Sequence, residues 1–311
     1  MHLGKKIGII GGGQLGKMMI VPANLLGFKT VCYTNSPEDP ACVFANEVII
    51  GDFNDRTKLE EFASKCDFIT IEFEGVDVNA LKTLESKLSP NIEAIFLSQN
   101  RLREKLFFQK SGIKTTEFAK ISNKDEALEF FHKHNHFILK TTENGYDGKG
   151  QFSIKNANDL NDVHFGKTEF IAEKFLQFAF EASVILTRSA DGKIAYLPIP
   201  VNIHKNGILH KSIIKSTQEP WKARMLEMAG KIATDLKFVG TMAVEFFVLE
   251  NGEIIANEIA PRPHNSGHFS LDLCSISQFE NHIRAIAGMP ILEPQLIFEG
   301  DINPFMKIMV E

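Results

Sequence analysis

The sequence predicts an α/β fold that continues into an α+β region. Three observations predict it. Strand and helix signals alternate through the N-terminal third, a G-x-G-x-x-G turn follows the first strand, and Asn251-Gly252 joins two apolar strands late in the chain. A chain of 311 residues holds two or three domains and a sizeable core, and 44% hydrophobic with 23% charged residues is ordinary globular composition.

Taken in order, "KIGII" reads as a strand, "GQLGKMMI" opens a helix, "KTVCYT" is a strand and "TKLEEFASK" a helix. "DFITIEF" is a strand, "VNALKTLESKL" a helix and "AIFLS" a strand. Such alternation implies a parallel sheet covered by helices. Pro22 is expected to kink or end the first helix. The helix "QNRLREKLFFQKSG" leads to the strand "HFILK", the glycine loop "TTENGYDGKGQ" and the strand "FSIK". "TEFIAEKFL" and "FEASVILTRS" continue as strands, and Asp191-Gly192 is a hairpin signal. "PWKARMLEMAGKIATDL" is a helix that precedes "MAVEFFVLENGEIIANEIA".

A net charge of −5 gives no reason to expect nucleic acid or an anionic membrane as partner. Cys32, Cys42, Cys66 and Cys274 lack metal-ligand spacing and read as reduced thiols. No apolar run approaches a membrane span, and the patterned first strand leaves no room for a signal peptide. The expectation is a cytoplasmic protein.

Gly11, Gly13 and Gly16 form the spacing of a dinucleotide-binding turn. That site also needs an acid at the end of the second strand, but "KTVCYT" runs into Asn35 and Ser36, and Glu38 and Asp39 come only after Pro37. The turn therefore serves another ligand or helix packing.

The sharpest signal is a carboxylate pair. A two-residue Asn251-Gly252 loop sets residue 250 against 253 and hence Glu245 against Glu258, on strands otherwise apolar on both faces. Opposed Cβ atoms lie about 5 Å apart, so two buried carboxylates there need a cation or a shared proton. Oxygen ligands favour Mg²⁺ held together with nucleotide phosphates. A one-residue bulge is the competing expectation and would leave the acids unpaired. Lys140, at the end of "HFILK" and beside Gly145, Gly148 and Gly150, suits phosphate neutralisation without being a Walker loop.

"GGGQLG", "EFE" (72–74), "GYDGKGQ", "NEIAPRPHNSGH" and "SQFENHIRAI" resemble the N5-carboxyaminoimidazole ribonucleotide synthases of purine biosynthesis, which are ATP-grasp enzymes, from residue 7 to about residue 290. The resemblance implies a Rossmann-like domain over 1–98, a linker helix with a lid subdomain over 99–172, and a central mixed-sheet domain over 173–311. Nothing after residue 290 matches, so the family's C-terminal domain is expected to be shortened or absent. Implied ATP contacts are Arg101, Lys140, the loop Gly145, Tyr146, Asp147, Gly148, Lys149, Gly150 and Gln151, the hinge Glu173, Lys174, Phe175 and Leu176, then Glu181, His204, Asn257 and Glu258. Implied metal ligands are Glu245 and Glu258, for Mg²⁺ or alternatively Mn²⁺. Arg262, His264 and Asn265, with Lys149 and Asp147, are the implied catalytic residues; Gly13, Gln14, Leu15, Glu74, Tyr146 and Ser266 are the implied substrate wall. Without the resemblance, Arg101 and Arg103 read as surface residues, and His132, His134 and His136 read as a solvated helix end.

The implied activity is ATP- and bicarbonate-dependent carboxylation of 5-aminoimidazole ribonucleotide through carboxyphosphate, by a homodimer. The alternatives are a formate-dependent glycinamide ribonucleotide transformylase or a nucleotide-binding relative with impaired turnover.

Overall fold

In the computed structural model, residues 4–143, 150–166, 168–205, 208–214 and 219–297 are described. Alternation in the N-terminal third yields a parallel sheet ordered β3-β2-β1-β4, from β1 (Lys6–Ile10), β2 (Lys29–Thr34), β3 (Glu47–Ile50) and β4 (Phe68–Ile71). Helices α1 (Gln14–Leu25), α2 (Arg56–Ser64), α3 (Val78–Leu81) and α4 (Ile92–Ser98) accompany it. Strand β3 was not expected from the sequence. "AIFLS" lies in α4 rather than in a strand, because Asn91 caps its start by accepting from the Ala94 N–H. "VNALKTLESKL" is broken into α3 and a 3₁₀ turn at Lys82–Leu84. Pro22 does not end α1: its missing donor falls in the last turn, and the helix closes three residues later.

Helix α5 (Arg101–Lys110), capped by Asn100, leads into a second sheet ordered β5-β8-β6-β7. Its strands are β5 (Phe118–Ile121), β6 (Phe137–Thr141), β7 (Gln151–Ile154) and β8 (Phe170–Lys174), with α6 (Lys124–His134) packed on them. His134 is not solvated: its side chain is 4% exposed and lies against Phe130.

The third sheet runs β12-β11-β9-β13-β14, with β10 on β9. Its strands are β9 (Phe180–Arg188), β10 (Ile194–Tyr196), β11 (Pro200–Lys205), β12 (Ile208–Ile214), β13 (Gly240–Val248) and β14 (Ile254–Ala260). Helix α7 (Pro220–Asp235) starts with proline in its first turn and buries Met225, Met228, Ala229, Ile232 and Ala233, at the i, i+3, i+4 spacing of one face. That face meets Val244, Phe246, Val248, Ile254, Ala256 and Ile259 in one core. Each large apolar side chain so buried contributes about 1.5–3 kcal/mol. Helices α8 (Ser270–Leu273) and α9 (Gln278–Ile286) follow. No helix among the described residues is long and apolar enough to cross a membrane.

Helix α9 ties the first sheet to the third through His282. The Thr241 N–H of β13 donates to its Nδ1 at 2.9 Å, so the proton sits on Nε2 and faces the Thr70 hydroxyl of β4 at 2.8 Å. The ring is fully buried, and burial pushes its pKa down to about 3. The unfolded chain therefore binds a proton that the folded one refuses between pH about 6.5 and 3. Stability is lost as pH falls through that window, by about 2 kcal/mol at pH 5. His282→Gln, which offers the same acceptor and donor without titrating, should lose about 2 kcal/mol less than the parent between pH 7 and pH 5 in urea unfolding. Equal losses would show that another group carries the acid sensitivity.

Candidate active site

The two acids singled out by register do face each other, though not for the reason the turn suggests. The Leu249 N–H pairs with the Glu253 carbonyl, and Phe246, Phe247 and Val248 pair with Ala256, Ile255 and Ile254. The strands thus start one residue out of the expected register. A bulge between Glu245 and Phe246, opposite Asn257, then restores Glu245 to Glu258 and Val244 to Ile259. Offset and bulge cancel. The expectation that both acids are buried is corrected: both lie on the face away from the α7 core, where the Glu245 side chain is 12% exposed but Glu258 is exposed.

Around this pair the sheet gathers Glu181 of β9 and His204 of β11. The ligand atoms of Glu181, His204 and Glu245 lie within 4.8 Å of one another. His204 Nδ1 is 2.6 Å from Glu181 Oε2. Burial opposes protonation of His204, yet Glu181, with Glu245 and Glu258 further off, raises its pKa. Burial and then Glu258 push Glu245 up to about 8. A cluster this rich in carboxylate fits a hard dication, which would remove the repulsion. His264 Nε2 lies 3.6 Å from Glu245 Oε1, while its Nδ1 accepts from the Ser266 N–H at 3.3 Å. The Nε2 proton therefore points to the carboxylate side. Burial, then Arg262, pushes this histidine down to about 3, so it stays neutral. Asn265 and the fully buried Ser266 lie in the 3₁₀ turn Asn265–Gly267 that His264 caps.

A second group surrounds Lys140. Its Nζ donates to Glu173 Oε2 at 3.0 Å, and Lys105 Nζ stands 3.7 Å from the same oxygen. Burial works against the Glu173 charge, but Lys105 and Lys140 hold its pKa below the ordinary value. Arg101, at the first position of α5, reaches the Thr141 carbonyl at 2.8 Å, so it stands at the end of β6 rather than on an open surface. Gln151 pairs with Lys140 across β6 and β7, and Gly150 turns into β7 with φ +69°, where a Cβ would meet the Thr141 hydroxyl at 2.7 Å. In the hinge, Lys174 pairs with Glu117 and Phe175 stacks on His136, while the Phe175 N–H donates to the His136 carbonyl. Leu176 is half-buried. The side chains of Lys174 and Phe175 are thus engaged with the second sheet. Asn257 precedes Glu258, and its carbonyl accepts from Lys105 at 2.6 Å. Gly145, Tyr146, Asp147, Gly148 and Lys149 lie outside the described residues.

The third group explains the glycine turn. The Glu72 carboxylate, 9% exposed, accepts from the N–H groups of Gly13 at 2.6 Å and Leu15 at 3.1 Å. The protein's own anion thus occupies the helix start where a dinucleotide would put its pyrophosphate. This agrees with rejecting that reading. Gln14 is exposed beside it. Two residues on, Glu74 Oε1 lies 2.9 Å from Arg262 Nε, which links the first sheet to the strand end beyond β14. Sequence reasoning gave no role to Glu72, Glu104 or Lys105. For Glu104 and Lys105 the signal was weak, since a charged residue inside a helical run reads as a solvated face; Glu72 stood in the quoted motif "EFE" at a strand end, but its partner at the glycine turn is 57 to 59 residues away in sequence.

Residues 4–99 match the ribonucleotide synthetase preATP-grasp domain family, and residues 106–279 match the ATP-grasp domain family. The N5-carboxyaminoimidazole ribonucleotide synthase of Bacillus subtilis is 40% identical over 306 residues, covering 96% of this chain and 80% of that protein. Among solved structures, the Staphylococcus aureus N5-carboxyaminoimidazole synthetase complexed with ADP superposes with a TM-score of 0.91 at 38% identity, over 96% of this chain and 81% of that one. The Aspergillus clavatus synthase in complex with ADP and 5-aminoimidazole ribonucleotide gives 0.87 at 28% identity, over 94% and 79%. The fold is an ATP-grasp fold preceded by a preATP-grasp domain, and the chain belongs to the N5-carboxyaminoimidazole ribonucleotide synthase family.

Proposed function

We propose that the chain is an ATP-dependent carbon–nitrogen ligase of purine biosynthesis that carboxylates 5-aminoimidazole ribonucleotide to N5-carboxyaminoimidazole ribonucleotide, with ATP and bicarbonate as co-substrates. The observation that carries this reading is the Glu245–Glu258 pair, whose strand is tied through Lys105 to Glu173, the partner of Lys140, and runs on to Arg262, which pairs with Glu74. Bicarbonate oxygen attacks the γ-phosphorus, ADP leaves, and carboxyphosphate forms. Its collapse gives CO₂ and phosphate, and the exocyclic amine of the ribonucleotide takes up the CO₂.

Lys140 and Arg101 supply positive charge for the phosphates, as phosphoryl transfer requires. Glu245 and Glu258 would hold Mg²⁺, or alternatively Mn²⁺, which neutralises charge on the transferring group. Glu181 suits the ATP ribose and His204 the phosphate side, with the adenine against backbone of Glu173 to Leu176. Arg262, His264, Asn265 and Ser266 face the carboxyl-transfer step. Asp147, Lys149 and Tyr146, with Gly13, Gln14, Leu15 and Glu74, would complete the ribonucleotide side. Three units are proposed, over 1–98, 99–172 and 173–311; the three sheets support their number, while β8 (Phe170–Lys174) carries the second sheet two residues past the second boundary. Four free cysteines support a cytoplasmic location, and homodimerisation is to be read from sedimentation.

The test is ADP release from ATP and Mg²⁺ in bicarbonate buffer, with and without 5-aminoimidazole ribonucleotide. Stimulation by the ribonucleotide is the expected result. ATP binding without stimulated release would overturn the substrate assignment and leave the fold untouched.

A further inference from the structure

We infer that Lys105, with Glu104 beside it on α5, is a positioning residue that fixes the metal-binding strand relative to the phosphate-binding lysine. The inference rests on reading Glu245 and Glu258 as metal ligands and Lys140 as a phosphate group's partner. Strand β14 ends its sheet, so every second N–H and C=O along it points away from β13 and needs a partner. Lys105 Nζ donates to the Asn257 carbonyl at 2.6 Å, and the Ile259 N–H donates to Glu104 Oε1 at 2.6 Å. These two bonds bracket Glu258. They hold the segment where the bulge switches register, and that switch is what brings Glu258 opposite Glu245.

Both side chains are buried, Lys105 at 1% and Glu104 at 4% exposure. Burying a charge is costly, whereas an open strand edge could be served by water at little cost. The edge is therefore held by two buried ionisable side chains where its geometry matters. Further toward the turn the same edge is held by uncharged groups, the Lys114 carbonyl and the Thr115 hydroxyl on Ala256.

The Lys105 ammonium has a second neighbour. It stands 3.7 Å from Glu173 Oε2, to which Lys140 donates at 3.0 Å. One buried cation thus spans from β14 of the third sheet to β8 and β6 of the second. Without it, the Asn257 carbonyl loses its donor, and Glu173 keeps Lys140 as the nearer of its two lysines. Glu258 loses its register support, and Lys140 is drawn toward Glu173.

The test is calorimetric ADP binding with and without Mg²⁺, which reads metal placement without turnover. In the parent chain, Mg²⁺ should tighten ADP binding. In Lys105→Met that tightening should shrink by about tenfold to a hundredfold, the range for groups that orient metal ligands, while metal-free ADP binding changes far less. Thr115→Val, which removes a bond from the same strand edge, should lower the unfolding midpoint and leave the Mg²⁺ effect intact. Lys105→Gln, neutral and still able to donate once, serves if Lys105→Met does not fold, with a reduced Mg²⁺ effect again expected. A Mg²⁺ effect equal to that of the parent in either Lys105 variant overturns the inference, and so does its absence from the parent. Failure of the parent chain to carboxylate the ribonucleotide would overturn only the proposed substrate.

Discussion

Glu258→Gln and Glu245→Gln should each lower ATP turnover by on the order of 10²-fold or more, while the nucleotide-free protein becomes no less stable. The two halves of this result come from one geometry. Glu245 lies directly opposite Glu258, and burial together with that neighbour raises its pKa to about 8. A carboxyl with a folded pKa above its unfolded value costs nothing below the unfolded value of about 4.5. The cost grows as pH rises and is complete above about 8. At pH 7 burial and the neighbouring Glu258 carboxyl keep Glu245 largely protonated at a cost to folding, and a neutral amide at either position relieves roughly 1–3 kcal/mol of it. A purely structural acid would behave in the opposite way, with stability lost and turnover kept. Steady-state ADP release at saturating Mg²⁺ and urea unfolding in its absence check both halves. Parent-like turnover in either variant would remove that residue from the metal site.

The same hairpin shows what a sequence can carry. The identity of the two acids and their opposition were legible from Asn251-Gly252 and the distance to the turn. The route was not, because a strand pattern records only alternation and is blind to a bulge that inserts one residue. The bulge expected to separate the acids is what joins them, since the turn starts one residue off. The misreading of "AIFLS" has a simpler cause. Four apolar residues in a row fit either period, and the decisive signal was Asn91 as a cap with Glu93 in the first turn. Lys140, proposed above for the phosphates, stood out because it lies at a strand end beside glycines. Lys105 and Glu104 did not, because their roles depend on elements distant in sequence meeting at one buried point; Glu173 was named only as a hinge position, and its pairing with both lysines was not legible.

Glu72→Gln should cost about 2–4 kcal/mol in urea unfolding, a large effect for the change of one oxygen to nitrogen. The carboxylate offers one oxygen to the Gly13 N–H and the other to the Leu15 N–H, and both sites lie at the positive end of α1. Hydrogen bonds to a charged group contribute about 1.5–3 kcal/mol each. The amide keeps one acceptor and turns its second group into a donor facing another donor, so one N–H is left unpaired under a side chain that is 9% exposed. The turn cannot move aside to recover the bond. A Cβ at Gly13 would meet Glu72 Oε1 at 2.3 Å, and one at Gly16 would meet the Gly11 carbonyl at 2.7 Å, so backbone and carboxylate are already in contact. This is also why the glycines are needed there: they let the chain close over an acid of its own. Were the site instead an open anion cradle, Glu72→Gln would leave stability unchanged and improve phosphate binding. Unfolding midpoints and phosphate titration of the two proteins decide between these descriptions.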